Sequence, residues 1–171
     1  MKAILIAAGL LIMIGSWQVW AKKDLGIPYQ KEPRSNLTVG GQPTLEQLES
    51  LKKRGYTTII NLRREGEFGD FNEATEVQAM GLEYVHIPIK NVEAITVENA
   101  RALHEAISNA SGPVLLHCTV GWRAGSLFAI ENFLIHDVSE AEALDLVTAA
   151  HMDHAVGDVQ DWLEIYKKSS K

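Results

Sequence analysis

At 171 residues, with 46% hydrophobic and 22% charged side chains, the chain has the size and composition of one globular domain. Its 16 Lys and Arg face 22 Asp and Glu, a net charge of -6, which argues against nucleic-acid binding because that needs a basic surface. A single cysteine excludes an intrachain disulfide framework.

The opening "MKAILIAAGLLIMIGSWQVWAKKD" places Lys2 before an apolar run from Ala3 to about Trp17. Val19-Trp20-Ala21 then offers a signal-peptidase site, so residues 1–21 read as a secretory signal and the protein as periplasmic or secreted. The alternative is an uncleaved inner-membrane anchor, because the run approaches the roughly 20 residues that span a bilayer. Membrane contact is expected only in that case. No cysteine follows the run, which excludes a bacterial lipid anchor. Residues 22–36, polar and proline-bearing, read as a leader onto a domain at 37–171.

"LTVGGQP" predicts a short strand stopped by Gly40 and Gly41. Thr44 and Gln47 form a capping box that opens a helix with Leu45, Leu48 and Leu51 inward. "YTTIINL" reads as a buried strand, "FNEATEVQAMG" as a second helix and "LEYVHIPI" as a third strand. Thr96 caps the helix "VENARALHEAISNA". The almost wholly apolar "GPVLLHC" suits the centre of a sheet covered on both faces. Past Arg123 the pattern is helical: "GSLFAIENFLIH", a helix opened by the capping box of Ser139 and Glu142, and "VQDWLEIYKK". Strands alternating with helices predict an α/β three-layer sandwich, with a mostly parallel sheet of four to five strands flanked by helices.

"HCTVGWRAGS" at 117–126 holds the chain's only cysteine. An apolar strand runs into Cys118, then a short loop with glycine, then Arg123 and a helix. In open parallel sheets ligands bind at the carboxyl ends of strands. A loop entering a helix aims the backbone N–H groups of residues 119–123 (Thr119, Val120, Gly121, Trp122, Arg123) at one point, near the positive end of the helix dipole. Gly121 permits a conformation that a side chain would hinder. Arg123 adds a planar fork that matches two oxygens of a phosphate or sulfate-like group. The field that holds an anion also favours a nucleophilic thiolate at Cys118. His117 can steady the loop by hydrogen bonding to a loop carbonyl.

With "VGGQPTLEQLESLKKRGYTTIINLR", "GLEYVHIPI" and "PVLLHCTVGWRAGSLFAI" in that order, the chain from about Leu37 to Ile135 resembles the dual-specificity and atypical protein tyrosine phosphatase superfamily. It is most similar to the bacterial branch related to the phosphatase-like domain found beside β-lactamase-like hydrolases. The resemblance implies a four- or five-stranded mixed sheet flanked by helices, Cys118 as nucleophile and Arg123 as phosphate clamp, with no cofactor.

Two departures from the superfamily pattern stand out. Four residues rather than five separate Cys118 from Arg123, although the bacterial branch itself tends to have the shorter loop. Ala124 also replaces the usual Ser or Thr, whose hydroxyl assists the thiolate as it leaves the phosphoenzyme; Ser126 comes two positions late. The second departure is Asn91, which stands where a dual-specificity phosphatase carries its acidic Asp and has no proton to give. Glu93 and Asp70 are the alternative general acids, each otherwise a solvated loop carboxylate.

Three readings follow. The first is a cysteine-dependent phosphatase acting on a phosphorylated protein or a small-molecule phosphoester. The second is a rhodanese-like sulfurtransferase, which the short loop and missing acid favour, taking sulfane sulfur from a donor onto Cys118. The third is a non-enzymatic anion- or partner-binding module. Arg63 and Arg64 follow "TTIINL" and should emerge at the same sheet edge, where Arg63 could enlarge the pocket. Trp122 either walls the pocket or packs on the surface. His151 and His154, near Asp153, share a helical face but have no further ligand cluster, so no metal is expected.

Overall fold

The computed structural model describes residues 24–67, 69–149 and 153–170; the signal reading of residues 1–21, and His151, fall outside them. In chain order the elements are β1 (Lys31–Arg34), β2 (Leu37–Gly40), α1 (Leu45–Lys53), β3 (Thr58–Asn61), α2 (Glu73–Ala79) and β4 (Glu83–His86). They continue as α3 (Val97–Asn109), β5 (Val114–His117), α4 (Trp122–Ile135), α5 (Glu140–Ala149) and α6 (Val156–Ser169). Single 3-10 turns lie at Val92–Ala94 and Asp153–Ala155.

The sheet order is β1-β2-β5-β3-β4, with β1 antiparallel to β2 and the other pairs parallel. "VLLH" takes the central place because every one of its residues is buried. Period-2 alternation then sorts the side chains. Leu115 and Ile59 meet Leu48, Leu51 and Val77 of α1 and α2 on one face. Val114, Leu116 and Ile60 meet Leu103 of α3 and Leu127 and Ile130 of α4 on the other. The result is the three-layer α/β sandwich. Leu115 and Leu116 are fully buried, and each contributes roughly 1.5–3 kcal/mol through lost apolar surface.

The register sets one row across the carboxyl edge of the parallel strands: Gly40, His117, Asn61 and His86 lie side by side. Each is followed by a loop, so the segments after β2, β5, β3 and β4 converge at one edge. The capping boxes at Thr44 and Thr96 both form, the latter through Asn99. Ser139 and Glu142 exchange the same pair of bonds ahead of α5. α4 is buried on nearly all sides from Arg123 to Asn132 and is the helix around which the larger core forms.

Part of the segment read as a leader belongs to the domain. Residues 31–34 form the edge strand β1, and Leu25 and Ile27 are buried in the α1 side of the core. "KEPR" carries no apolar alternation because an edge strand needs a partner on only one side, and Pro33 is tolerated there. Arg34 anchors it by donating to Asn132 Oδ1 at 2.9 Å and lying 5.0 Å from the Phe128 ring centre. Among the described residues no helix is long and apolar enough to cross a membrane.

Candidate active site

β5 ends at His117, and the next residue, Cys118, is 1% exposed at the base of the loop. Gly121 turns the chain with φ of 93°, a left-handed geometry that favours glycine, and its N–H donates to Cys118 Sγ at 3.1 Å. α4 begins one residue later at Trp122, three positions before the start of the predicted helix, so Arg123 sits in its first turn. Two loop carbonyls are engaged elsewhere: Thr119 O accepts from Gln42 N–H at 3.0 Å and Gly121 O from Gly125 N–H at 2.9 Å. Among the described residues, the amides of Thr119, Val120, Trp122 and Arg123 find no backbone acceptor. They lie in the loop that carries the sulfur, at the positive end of α4, where such amides favour negative charge. Gly41 makes the approach of the β2 loop possible, since a Cβ there would lie 2.9 Å from Thr119 O.

Arg123 is 9% exposed and tied down along one edge. Its Nη1 donates to Glu67 Oε2 at 2.9 Å and to the Ile89 carbonyl at 2.7 Å, and reaches the Leu62 carbonyl at 3.5 Å. Nη2 donates to Thr119 Oγ1 at 3.1 Å. Of the five guanidinium hydrogens, these contacts leave Nε–H and one Nη2 hydrogen without an acceptor among the described residues. Loops after β3, β4 and β5 thus fix one side chain. For Glu67, burial pushes the pKa up, but hydrogen bonds from Arg123 and the Arg64 amide, with the charges of both arginines, outweigh it. The carboxyl is held below its ordinary value. Glu67 is therefore an ionised brace, unsuited to donating a proton at neutral pH.

Beneath the loop, on the α1–α2 face, lies a buried polar network. His117 Nε2 is 2.8 Å from Glu73 Oε1, off a straight N–H···O line, and neither atom has another partner. A carboxylate only accepts, so Nε2 carries its hydrogen. The ring's Nδ1 lies 3.3 Å from the Cys118 carbonyl. Glu73 Oε2 accepts from Gln42 Nε2 and Asn61 Nδ2, each at 3.0 Å. Burial raises the Glu73 pKa, but the His117 hydrogen bond and charge, the Gln42 amide and the Arg63 charge overcome it, leaving the carboxyl below its ordinary value. Arg63 is buried and donates from Nη1 to Gln42 Oε1 at 2.7 Å, so that donor group serves the network under the loop.

The other residues singled out in the sequence are placed as follows. Val120 and Trp122, on the loop itself, are exposed at 38% and 44%. The Trp122 ring leans on His154, 5.5 Å between centres. Ala124 is buried in the apolar core, and Ser126 Oγ is buried with no hydrogen-bond partner, Cys118 included. Asp70 is exposed beside an open concavity lined by Phe71, Asn72, Tyr84 and His86. Asn91 and Glu93 are exposed at the 3-10 turn after β4. Neither Asp70 nor Glu93 bonds to Cys118 or Arg123.

Sequence reasoning missed Glu67 and Glu73. Both partnerships are tertiary, spanning 56 residues to Arg123 in one case. Glu73 looks like an ordinary first-turn acid of α2. The one available signal was its position in the helix that follows the β3 loop, at the sheet edge where His117 ends its strand.

This constellation defines a class: a cysteine-phosphatase sandwich with its thiol, loop amides and arginine at the carboxyl edge of the sheet. A DUF442 protein of Shewanella putrefaciens superimposes with a TM-score of 0.61 at 23% identity, over 80% of this chain and 87% of that one. TpbA of P. aeruginosa does so with a TM-score of 0.64 at 15% identity, over 83% and 86%. At these identities the likeness is one of fold. In sequence, a beta-lactamase hydrolase-like protein of Agrobacterium fabrum is 33% identical over 125 residues, 66% of this chain and 29% of the relative. Its namesake in Xylella fastidiosa is 33% identical over 132 residues, 75% of this chain and 30% of the relative. The chain therefore spans about three tenths of these relatives' length. The family described as "DSP-PTPase phosphatase fused to NAD+ Kinase" matches residues 12–162, and the chain belongs to it. It is a tyrosine/dual-specificity phosphatase-like hydrolase.

Proposed function

We propose that the chain hydrolyses phosphate monoesters through a phosphocysteine at Cys118, with a preference for aryl phosphates of the phosphotyrosine type. The observation that carries this reading is the sulfur on a loop whose amides find no backbone acceptor, with an arginine that has donors to spare. The Cys118 thiolate attacks phosphorus in line, and the bond to the leaving oxygen breaks as that oxygen takes a proton. Arg123 and the loop amides stabilise the equatorial oxygens. Water then attacks phosphorus, the sulfur–phosphorus bond breaks, and thiolate and inorganic phosphate are released. The exposed side chains of Val120 and Trp122 on the loop offer apolar surface to an aromatic leaving group. A TpbA variant with this fold was crystallised with phosphotyrosine, which supports the same preference.

The test is mass spectrometry of Cys118 after brief exposure to an aryl phosphate and, separately, to thiosulfate. A phosphoryl adduct, lost in Cys118→Ser, together with vanadate inhibition is the expected result. A persulfide with no phosphoryl adduct would transfer the site to sulfur chemistry, the reading that the short loop and the missing acid at Asn91 favour. Neither adduct, with the cellular role intact in Cys118→Ser, would make it a binding module. We further propose export with cleavage after Ala21. N-terminal sequencing of the protein recovered from periplasm tests this, and an intact Met1 on a membrane-bound protein overturns it.

A further inference from the structure

A second constellation lies at the far end of α4. His104 of α3, Glu131 of α4 and His136, the residue that caps α4, turn three ligand atoms toward one another within 4.8 Å. Glu131 Oε1 is 3.0 Å from His104 Nδ1 and 3.0 Å from His136 Nε2. The imidazole rings meet edge to face, 5.4 Å between centres. We propose that these three side chains bind a divalent transition metal of the zinc type, at a site separate from the catalytic loop.

Four observations converge on this assignment. The first is length. Zn2+ bonds of about 2.0–2.1 Å in a tetrahedral site put neighbouring ligand atoms about 3.3 Å apart, and both contacts to Oε1 already approach that edge. Two imidazoles and one carboxylate also form a ligand set suited to zinc, nickel, cobalt or copper rather than to magnesium or calcium.

The second is orientation from behind. Glu131 is fully buried, and its other oxygen, Oε2, accepts from Asn132 Nδ2 at 3.0 Å with Arg34 Nη2 at 3.6 Å. Those partners hold the carboxylate so that Oε1 alone faces the two rings, as outer partners do around metal ligands. Third, the two histidine side chains are 36% and 38% exposed, which leaves an entry path and room for a water as fourth ligand. Fourth, a cation here meets the negative end of α4.

No redox step is involved. Without metal, each imidazole can place a hydrogen on the nitrogen facing Oε1. On binding, the ring hydrogens reside on His104 Nε2 and His136 Nδ1, and the facing lone pairs bind the ion. Glu131 lies eight positions along the helix from Arg123, about 12 Å along the axis. The ion therefore does not reach the substrate. It cross-links α3 to the C-terminal end of the helix whose N-terminus carries Arg123, and β1 joins through Arg34.

The experiment uses the full chain without a histidine tag, stripped with EDTA and dialysed. Titration with Zn2+ by calorimetry, and with Co2+ by visible absorption, should show one tight site with imidazole-type ligand-field bands. Zinc at about a hundred times its Kd should raise Tm by roughly 5–10 °C. His104→Ala and His136→Ala, each at the exposed rim and each checked for folding by circular dichroism, should lose affinity roughly a hundredfold or more and lose the Tm shift. His104→Gln serves as the milder variant, and His154→Ala should bind zinc as the unaltered chain does. The proposal is overturned if the stripped chain takes up no zinc at sub-millimolar concentration, or if uptake survives in both rim variants. Activity is not the readout, so failure here leaves the Cys118 chemistry standing.

Discussion

Arg123 and Glu67 are joined by a 2.9 Å ion pair, so the guanidinium proposed as the anion clamp is braced by a carboxylate before any substrate arrives. The brace uses Nη1 and leaves the Nε side, which separates holding the clamp from using it. Removing the brace should misplace the guanidinium. Glu67→Ala is expected to lower kcat/KM about a hundredfold, the scale of an ångström-sized displacement of a positioning group. Glu67→Gln keeps an acceptor at Nη1 and should cost only about tenfold. Steady-state kinetics on an aryl phosphate, with vanadate affinity measured alongside, checks both. Equal losses in the two variants would mean that the charge, not the geometry, is what matters.

Because Glu67 stays ionised, the proton for the leaving oxygen comes from elsewhere. Asp70 lies on the loop after β3 and Glu93 in the 3-10 turn after β4, and both are exposed. A general acid matters most where the leaving group is poor. Whichever residue serves, its amide variant (Asp70→Asn or Glu93→Gln) should lose roughly a hundredfold on an alkyl phosphate and little on p-nitrophenyl phosphate. Neither variant showing that selectivity would return the task to solvent.

The His117–Glu73 pair predicts an acid-labile fold. Glu73 is depressed in the folded chain, so protonation favours unfolding. Its stabilisation is complete above the ordinary glutamate value of about 4.3 and is lost as pH falls through the lower folded value. Glu73→Gln replaces one acceptor of this buried network by a donor and should destabilise the neutral protein by about 1–3 kcal/mol. The variant should also flatten the acid limb of stability against pH. Urea unfolding across a pH series, on the chain and on Glu73→Gln, measures both effects.

Physical reasons separate what could be read in the sequence from what could not. Caps at Thr44, Thr96 and Ser139 are local, and their bonds close within three residues. "VLLH" declared its central place by composition alone. β1 did not, because "KEPR" is held by pairing on one side and by a reach of 98 residues from Arg34 to Asn132. Loop, thiol and arginine were legible because one short stretch carries them. The residues that fix them arrive from elsewhere in the chain, Gln42 and Glu67 from the loops after β2 and β3 and Glu73 from the first turn of α2. Glu131 left a trace, a carboxylate inside the apolar run "LFAIENFLI". Only tertiary structure brings His104 to it.

Ala124 carries the last prediction. Where the superfamily places a hydroxyl beside the departing thiolate, this chain has a methyl group in the apolar core, and Ser126 Oγ makes no bond to Cys118. The Gly121 amide is the one hydrogen bond described to the sulfur. Attack on phosphorus needs no leaving-group help at sulfur, whereas breakdown of the phosphocysteine does. The second step should therefore be the slower one for a good leaving group. Rapid mixing with p-nitrophenyl phosphate should give a burst of nitrophenol close to one equivalent of enzyme, followed by a slow steady state. Across aryl phosphates of rising leaving-group pKa the steady rate should stay flat while the burst rate falls. Linear product release from the first turnover would place the slow step at attack, and Ala124 would then be of no kinetic consequence.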